Sequence, residues 1–262
     1  CEARCVVDLG YGEKDCALLE AVGRTGKPMA VIFMAGRPLT VGKEIDMADA
    51  VLYSFHGGTM AGEALANLIS GKANPSGKLP ATMARMTGQY PIYYAHKNTG
   101  RPPEWTVDLD SIPVEAPQTS TGCTSYYLDA GKEPLYPFGY GLSYTKFEYS
   151  DLKLSAKKLN RGGKITASVK LKNAGKFGGY ETVQWYLRDL FASVVRPVKE
   201  LKGYERVFLK AGEEKLITFE ITEETLKFYT DGGEFAAETG KFELFAGGNS
   251  RDCLKADFEL ID

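Results

Sequence analysis

The chain has 262 residues, 44% hydrophobic and 25% charged, the balance of a globular protein with room for one large domain or two ordinary ones. A formal net charge of −2 offers no basic surface for nucleic acid or an anionic membrane. No apolar run approaches the roughly 18 residues of a helical membrane span, so neither partner is expected. Five cysteines, at 1, 5, 16, 123 and 253, form no CxxC pair, and with two histidines they show no zinc-site spacing, so no metal is expected. The odd count leaves at least one thiol unpaired within the chain; a bridge among Cys1, Cys5 and Cys16 stays open. No Asn-x-Ser/Thr sequon has an allowed middle residue, which favours a bacterial source over a glycosylated one.

The opening stretch, CEARCVVDLGYGEKDC, has no initiator Met and no polar lead-in. It reads as the middle of a protein. EKDCALLEAVGR (13–24) spaces Cys16, Leu19, Ala21 and Val22 for one face of a helix, which Gly26 and Pro28 stop. Met29–Ala35 is a short all-apolar strand followed by GRPL, and DAVLYSF (49–55) is a second. MAGEALANLIS (60–70) puts Ala61, Leu65, Leu68 and Ile69 at helical spacing and ends at Gly71. Helix, strand, connection, strand, helix is the rhythm of an α/β layer with parallel strands, here cut on its N-terminal side. From Asn74 to about Asp129 the text is loop-like, and a loop of that length is more often functional than idle.

After Ser150 the period changes to two. Ile165, Ala167, Val169 and Leu171 alternate with polar residues, as do Val183, Trp185 and Leu187. Leu216–Ile221, Leu226–Tyr229, Lys241–Ala246 and Leu254–Leu260 continue the pattern, with Gly-rich turns between. Seven or so short strands in about 110 residues predict an all-β sandwich of immunoglobulin or fibronectin III size. Trp185, alternating with apolar neighbours, belongs to its core. Between the halves, EPLYPFGYGLSYTKFEYS (133–150) is too aromatic for a solvated linker and is expected to be packed, joining the halves rigidly.

Several of these texts carry a resemblance. NPSGKLP (74–80), YPFGYGLSYTKF (136–147), RPVKELKGYERVFLKAGE (196–213), TGKPMAVIFMAGRPL (25–39) and NAGKFGGYETVQWYL (173–187) resemble the C-terminal half of glycoside hydrolase family 3, most of all its periplasmic β-glucosidase type. The resemblance implies a fold of a partial α/β sandwich with a mostly parallel sheet, followed by an all-β fibronectin III-like sandwich. The domains would be 1–132 for the α/β part, 133–150 for the aromatic connector and 151–262 for the fibronectin III-like part. It further implies a retaining, exo-acting β-glycosidase, a β-glucosidase by its closest texts, cleaving terminal β-linked sugars. The aspartate nucleophile would lie on an N-terminal barrel, in cis or as a separate chain, so these residues alone are expected to be inactive. A β-glucoside or related oligosaccharide would be the substrate, no cofactor is called for, homo-oligomer formation is open, and the location would be periplasmic or extracellular.

The family draws its acid/base from a loop of the α/β sandwich. Counting back without gaps from Thr25–Pro28 sets Glu2-Ala3 on the Glu-Ala pair of that loop, which makes Glu2 the candidate acid/base. Glu13 is the runner-up, although its place at the opening of a helix suits a dipole role. Tyr93, His96 and Arg101, in YPIYYAHKNTGRP, are candidate substrate-adjacent residues, and Tyr94 and Trp105 offer further rings for sugar stacking. His56 reads as a hydrogen-bonded structural histidine. A rival reading from another class is a non-catalytic carbohydrate-binding or scaffold protein that keeps the accessory domains.

Overall fold

The computed structural model describes residues 6–98, 100–117 and 119–262. Glu2, Cys1 and Cys5 lie outside the described residues. The chain divides into two compact units that interleave in sequence. One comprises the described part of Cys1–Ser70 with Ala81–Ile92 and Arg101–Tyr136; the other comprises Gly71–Pro80, Tyr93–Gly100 and Pro137–Asp262.

The first unit runs α1 (Glu13–Gly23), β1 (Ala30–Phe33), α2 (Gly42–Asp46), β2 (Ala50–Tyr53) and α3 (Ala61–Ile69). The two strands pair in parallel from Ala30 opposite Ala50 to Phe33 opposite Tyr53. Their side chains build the small core of this unit, in which Phe33 is fully buried and touches Tyr11 edge-on and Tyr53 in a stack. Met83 adds to the buried set; its N–H donates to Tyr136 O (2.9 Å) and its carbonyl accepts from Leu135 N (2.8 Å). The helices form where the apolar spacing put them, but neither α1 nor α3 has a buried residue. Cys16 and Leu19 are half-buried, while Val22, predicted for the same face, is exposed; on α3, Ile69 is likewise exposed. Two short strands offer too narrow a surface to cover the whole apolar stripe of a helix.

The second unit is a sandwich. Its strands are β3 (Phe147–Leu154), β4 (Lys158–Asn160), β5 (Lys164–Asn173), β6 (Gly179–Asp189), β7 (Glu200–Leu209), β8 (Glu214–Thr222), β9 (Phe228–Tyr229), β10 (Phe235–Ala236), β11 (Gly240–Gly247) and β12 (Cys253–Ile261). A five-stranded sheet in the order β4-β12-β11-β6-β7 faces a three-stranded sheet in the order β3-β5-β8, and β9 and β10 form a small hairpin. Alternation works as the sequence suggests: Ile165, Ala167, Val169 and Leu171 on β5 and Val183, Trp185 and Leu187 on β6 all join one core. Trp185 stacks on Phe219 at 5.5 Å. Gly203, opposite Trp185, leaves room for that ring, because a Cβ there would stand 2.7 Å from Phe219. One predicted strand is redrawn. Leu226 closes a single helical turn, α4 (Glu223–Leu226), with Thr222 and Thr225 in a capping box, and only Phe228–Tyr229 is extended.

Segments 71–80 and 93–100, which the sequence groups with the α/β text, pack in the sandwich unit. Leu79 N donates to Tyr140 O (2.8 Å) and Gly139 N donates to Leu79 O (2.8 Å). Asn74 Oδ1 accepts from Tyr144 N (2.8 Å) and Ser143 Oγ (2.8 Å). Lys78 reaches into the sandwich to a buried ion pair with Glu181 at 3.0 Å, and the Tyr149 hydroxyl donates to the same carboxylate at 2.9 Å. Within the aromatic connector, Pro137 and Gly139 are buried while Leu142 and Tyr144 are exposed.

Candidate functional site

In parallel α/β layers ligands bind beyond the carboxyl ends of the strands, so the loops after β1 and β2 carry the first interest. The Tyr53 hydroxyl donates to Arg37 O (2.6 Å) and accepts from Leu39 N (3.2 Å), folding the first loop over the end of the second strand. Burial pushes the Tyr53 phenol up to about 12, so it remains a donor at any physiological pH. After β2 the chain turns sharply: Phe55 takes a φ of 50° and Gly58 one of 70°. The turn lays the His56 ring on Gly36, where a Cβ would lie 2.7 Å from Nε2. The contact is one of packing, and the imidazole is exposed, as is Arg37. Sequence reasoning passed over Arg37; its signal is the GRPL text directly after an apolar strand.

The chain that follows Glu2 is tethered to the same loops. Leu9 N donates to Thr87 Oγ1 (3.2 Å), Thr40 N donates to Leu9 O (2.9 Å), and Thr87 Oγ1 donates to Asp8 Oδ1 (3.3 Å). Glu2 itself is outside the described residues. Glu13 stands in the first turn of α1, where its charge complements the helix dipole. The Cys16 thiol donates to the buried Glu44 carboxylate at 3.2 Å, and that bond pushes the thiol's pKa up.

Tyr93 and His96 fall in the sandwich unit, and Arg101 falls in the α/β unit. Tyr93 is 62% exposed with an open ring. Tyr94, beside it, is not available for stacking on a sugar. Its ring lies on Phe138 at 4.5 Å and edge-on to Tyr186 at 5.7 Å, and its hydroxyl accepts from Leu201 N (3.4 Å). His96 is exposed; its carbonyl accepts from Val198 N (2.9 Å), which fastens the segment to the start of β7. Arg101 is exposed and its carbonyl accepts from Ser125 N (2.9 Å). Trp105 is half-exposed, with Gly122 against its ring edge. Among the described residues no group of three or more His, Cys, Asp or Glu side chains is placed to hold a metal ion.

The model of the glycosyl hydrolase family 3 C-terminal domain matches residues 5–144, and that of a fibronectin type III-like domain matches residues 181–250. The chain is 46% identical over 244 residues to the periplasmic beta-glucosidase of Salmonella typhimurium, covering 93% of this chain and 30% of that protein. It is 37% identical to a putative beta-xylosidase of Formosa agariphila, over 93% of this chain and 29% of the relative. The crystal structure of a beta-glucosidase from Listeria innocua in complex with glucose superposes with a TM-score of 0.85 at 40% identity, over 97% of this chain and 34% of that one. This chain thus spans about a third of the length of the proteins it matches. From its α/β unit and the family model that covers it, the chain belongs to glycosyl hydrolase family 3, through that family's C-terminal domain followed by a fibronectin type III-like domain.

Proposed function

We propose that these residues form the C-terminal part of a retaining, exo-acting β-glucosidase that removes terminal β-linked glucose. The observation that carries this reading is the 40% identity and TM-score of 0.85 across 97% of the chain to a solved beta-glucosidase. A retaining glycosidase needs two carboxyl groups about 5–5.5 Å apart, one to attack the anomeric carbon and one to protonate the leaving oxygen. Glu2 is the proposed acid/base. A carboxyl in that role has to stay protonated until the leaving group arrives, which partial burial or a second carboxylate achieves. The nucleophile is proposed to lie on a preceding part of the longer protein, and these residues alone to be inactive. Tyr93, His96 and Arg101 are proposed to contact the sugars of the leaving group. A periplasmic location is proposed on the strength of the Salmonella relative.

Mixing the chain with a barrel fragment of a family member and assaying an aryl β-glucoside tests the proposal. Turnover in the mixture, lost in Glu2→Gln and absent from either piece alone, is expected. Sugar binding by this chain with no turnover in any mixture supports an accessory module instead, and turnover by the chain alone refutes the division of labour.

A further inference from the structure

The outer face of the five-stranded sheet ends on the edge strand β7, whose neighbour is β6. Since Val183, Trp185, Val207 and Leu209 point to the core, the alternate residues point outward. The register sets Tyr180 opposite Phe208, Thr182 opposite Arg206 and Gln184 opposite Tyr204. Tyr204 is 72% exposed, and Tyr180 and Phe208 are each about two-fifths exposed, with ring centroids 5.0 Å apart and edge to face. The Arg206 guanidinium lies 3.7 Å from the centroid of the Tyr180 ring, and its Nη2 donates to Ser76 Oγ (3.0 Å). It has no carboxylate within ion-pair distance among the described residues. Glu205, its neighbour, alternates to the other side of the strand.

An exposed arginine normally meets a solvent-facing carboxylate or floats free. This one is held by a ring and a hydroxyl, with most of its fork of donors left over and an aromatic ring on either side along the strand, at a spacing of about 7 Å. Rings recognise the apolar faces of sugars, and a fixed guanidinium recognises a carboxylate in two-point fashion. We propose that this face of β6 and β7 is a binding surface for acidic glycans, sugar chains that carry uronate carboxylates. It is separate from the sugar-cleaving reading above and stands or falls on its own. Charge complementarity selects the occupant: the guanidinium is the unpaired charge on the face, and a neutral glycan would leave it unanswered.

Calorimetric titration of the full 262-residue chain with tetragalacturonate, cellotetraose and tetraglutamate, at low salt, tests the proposal. Binding of tetragalacturonate is expected, with cellotetraose and tetraglutamate each weaker by about tenfold or more. Arg206→Gln and Tyr204→Ala are each expected to weaken it by about tenfold with the near-ultraviolet circular dichroism of the folded chain retained, and Arg206→Lys to restore only part of the loss. Absence of binding, equal binding of tetraglutamate or of cellotetraose, or indifference to both Arg206→Gln and Tyr204→Ala overturns it.

Discussion

Asp189 ends β6 pointing into the sandwich, where a carboxylate is out of place. Its Oδ1 accepts from Phe191 N at 3.3 Å, but Oδ2 is buried without a hydrogen-bond partner, as is Nε of nearby Arg196. Arg196 is occupied elsewhere: its Nη2 pairs with Glu200 at 2.6 Å and its guanidinium lies 4.2 Å from the centroid of the Phe228 ring. Burial is the main reason the Asp189 carboxyl is pushed up from 3.8 to about 6; Glu238 and Glu200 add to the rise, while the Phe191 N–H and Arg196 oppose it. The folded chain therefore holds this proton more tightly than the unfolded chain does. The neutral form's contribution is fully present below about pH 4 and is lost as the pH rises through about 6. At about 1.4 kcal/mol for each pH unit, full desolvation would make the ionised carboxylate cost about 3 kcal/mol, and residual solvent screening lowers this to about 1–2 kcal/mol. Asp189→Asn keeps the shape and removes the charge. It is expected to raise the stability of the sandwich by about 1–2 kcal/mol at about pH 8 and to change it little at about pH 4. Urea unfolding in a Trp105→Phe background, where Trp185 fluorescence reports the sandwich alone, measures both. A variant no more stable than the parent at about pH 8, with the pH dependence intact, refutes the reasoning.

Three further outcomes follow from the packing. Lys78→Ala strands the buried Glu181 carboxylate with Tyr149 as its remaining partner, and is expected to destabilise the sandwich by about 3–5 kcal/mol, measured by the same unfolding. A loss under 1 kcal/mol would mean that water reaches Glu181. Tyr53→Phe removes the donor to Arg37 O and the acceptor for Leu39 N, for about 1–3 kcal/mol, and hydrogen exchange at the Leu39 amide should speed up ahead of the β1 amides. In a Cys1→Ser, Cys5→Ser background, a thiol reagent at about pH 8 should modify exposed Cys123 first and Cys253 last, because burial lifts the Cys253 thiol to about 11. Cys253 reacting as fast as Cys123 would contradict its burial.

Much of the fold was legible because its elements are written in local periods. The alternation of Ile165 to Leu171 and of Val183 to Leu187 fixed which faces of β5 and β6 form the core, and Val31 and Phe33 in an all-apolar run are buried, although Met34 in the same run is exposed. Side chains at period two on β5 and β6 turn one face to a shared core, so there the sequence suffices, whereas the helical spacing of α1 and α3 gave the helices without a buried face. What it did not reveal are the pairings made at long range. NPSGKLP reads as a turn between α/β elements, yet Asn74 and Lys78 satisfy Tyr144 and Glu181 some 70 and 103 residues away. Tyr93 and Tyr94 are identical letters side by side; only the arrival of Phe138 and Tyr186 engages one ring and leaves the other open. Asp189 and Arg206 are ordinary charged residues on paper, and one became a buried acid and the other a fixed, unpaired guanidinium through partners supplied by other strands and loops. Local pattern decides which residues leave water. The company they meet there, and with it their chemistry, is decided only when distant segments close on one another.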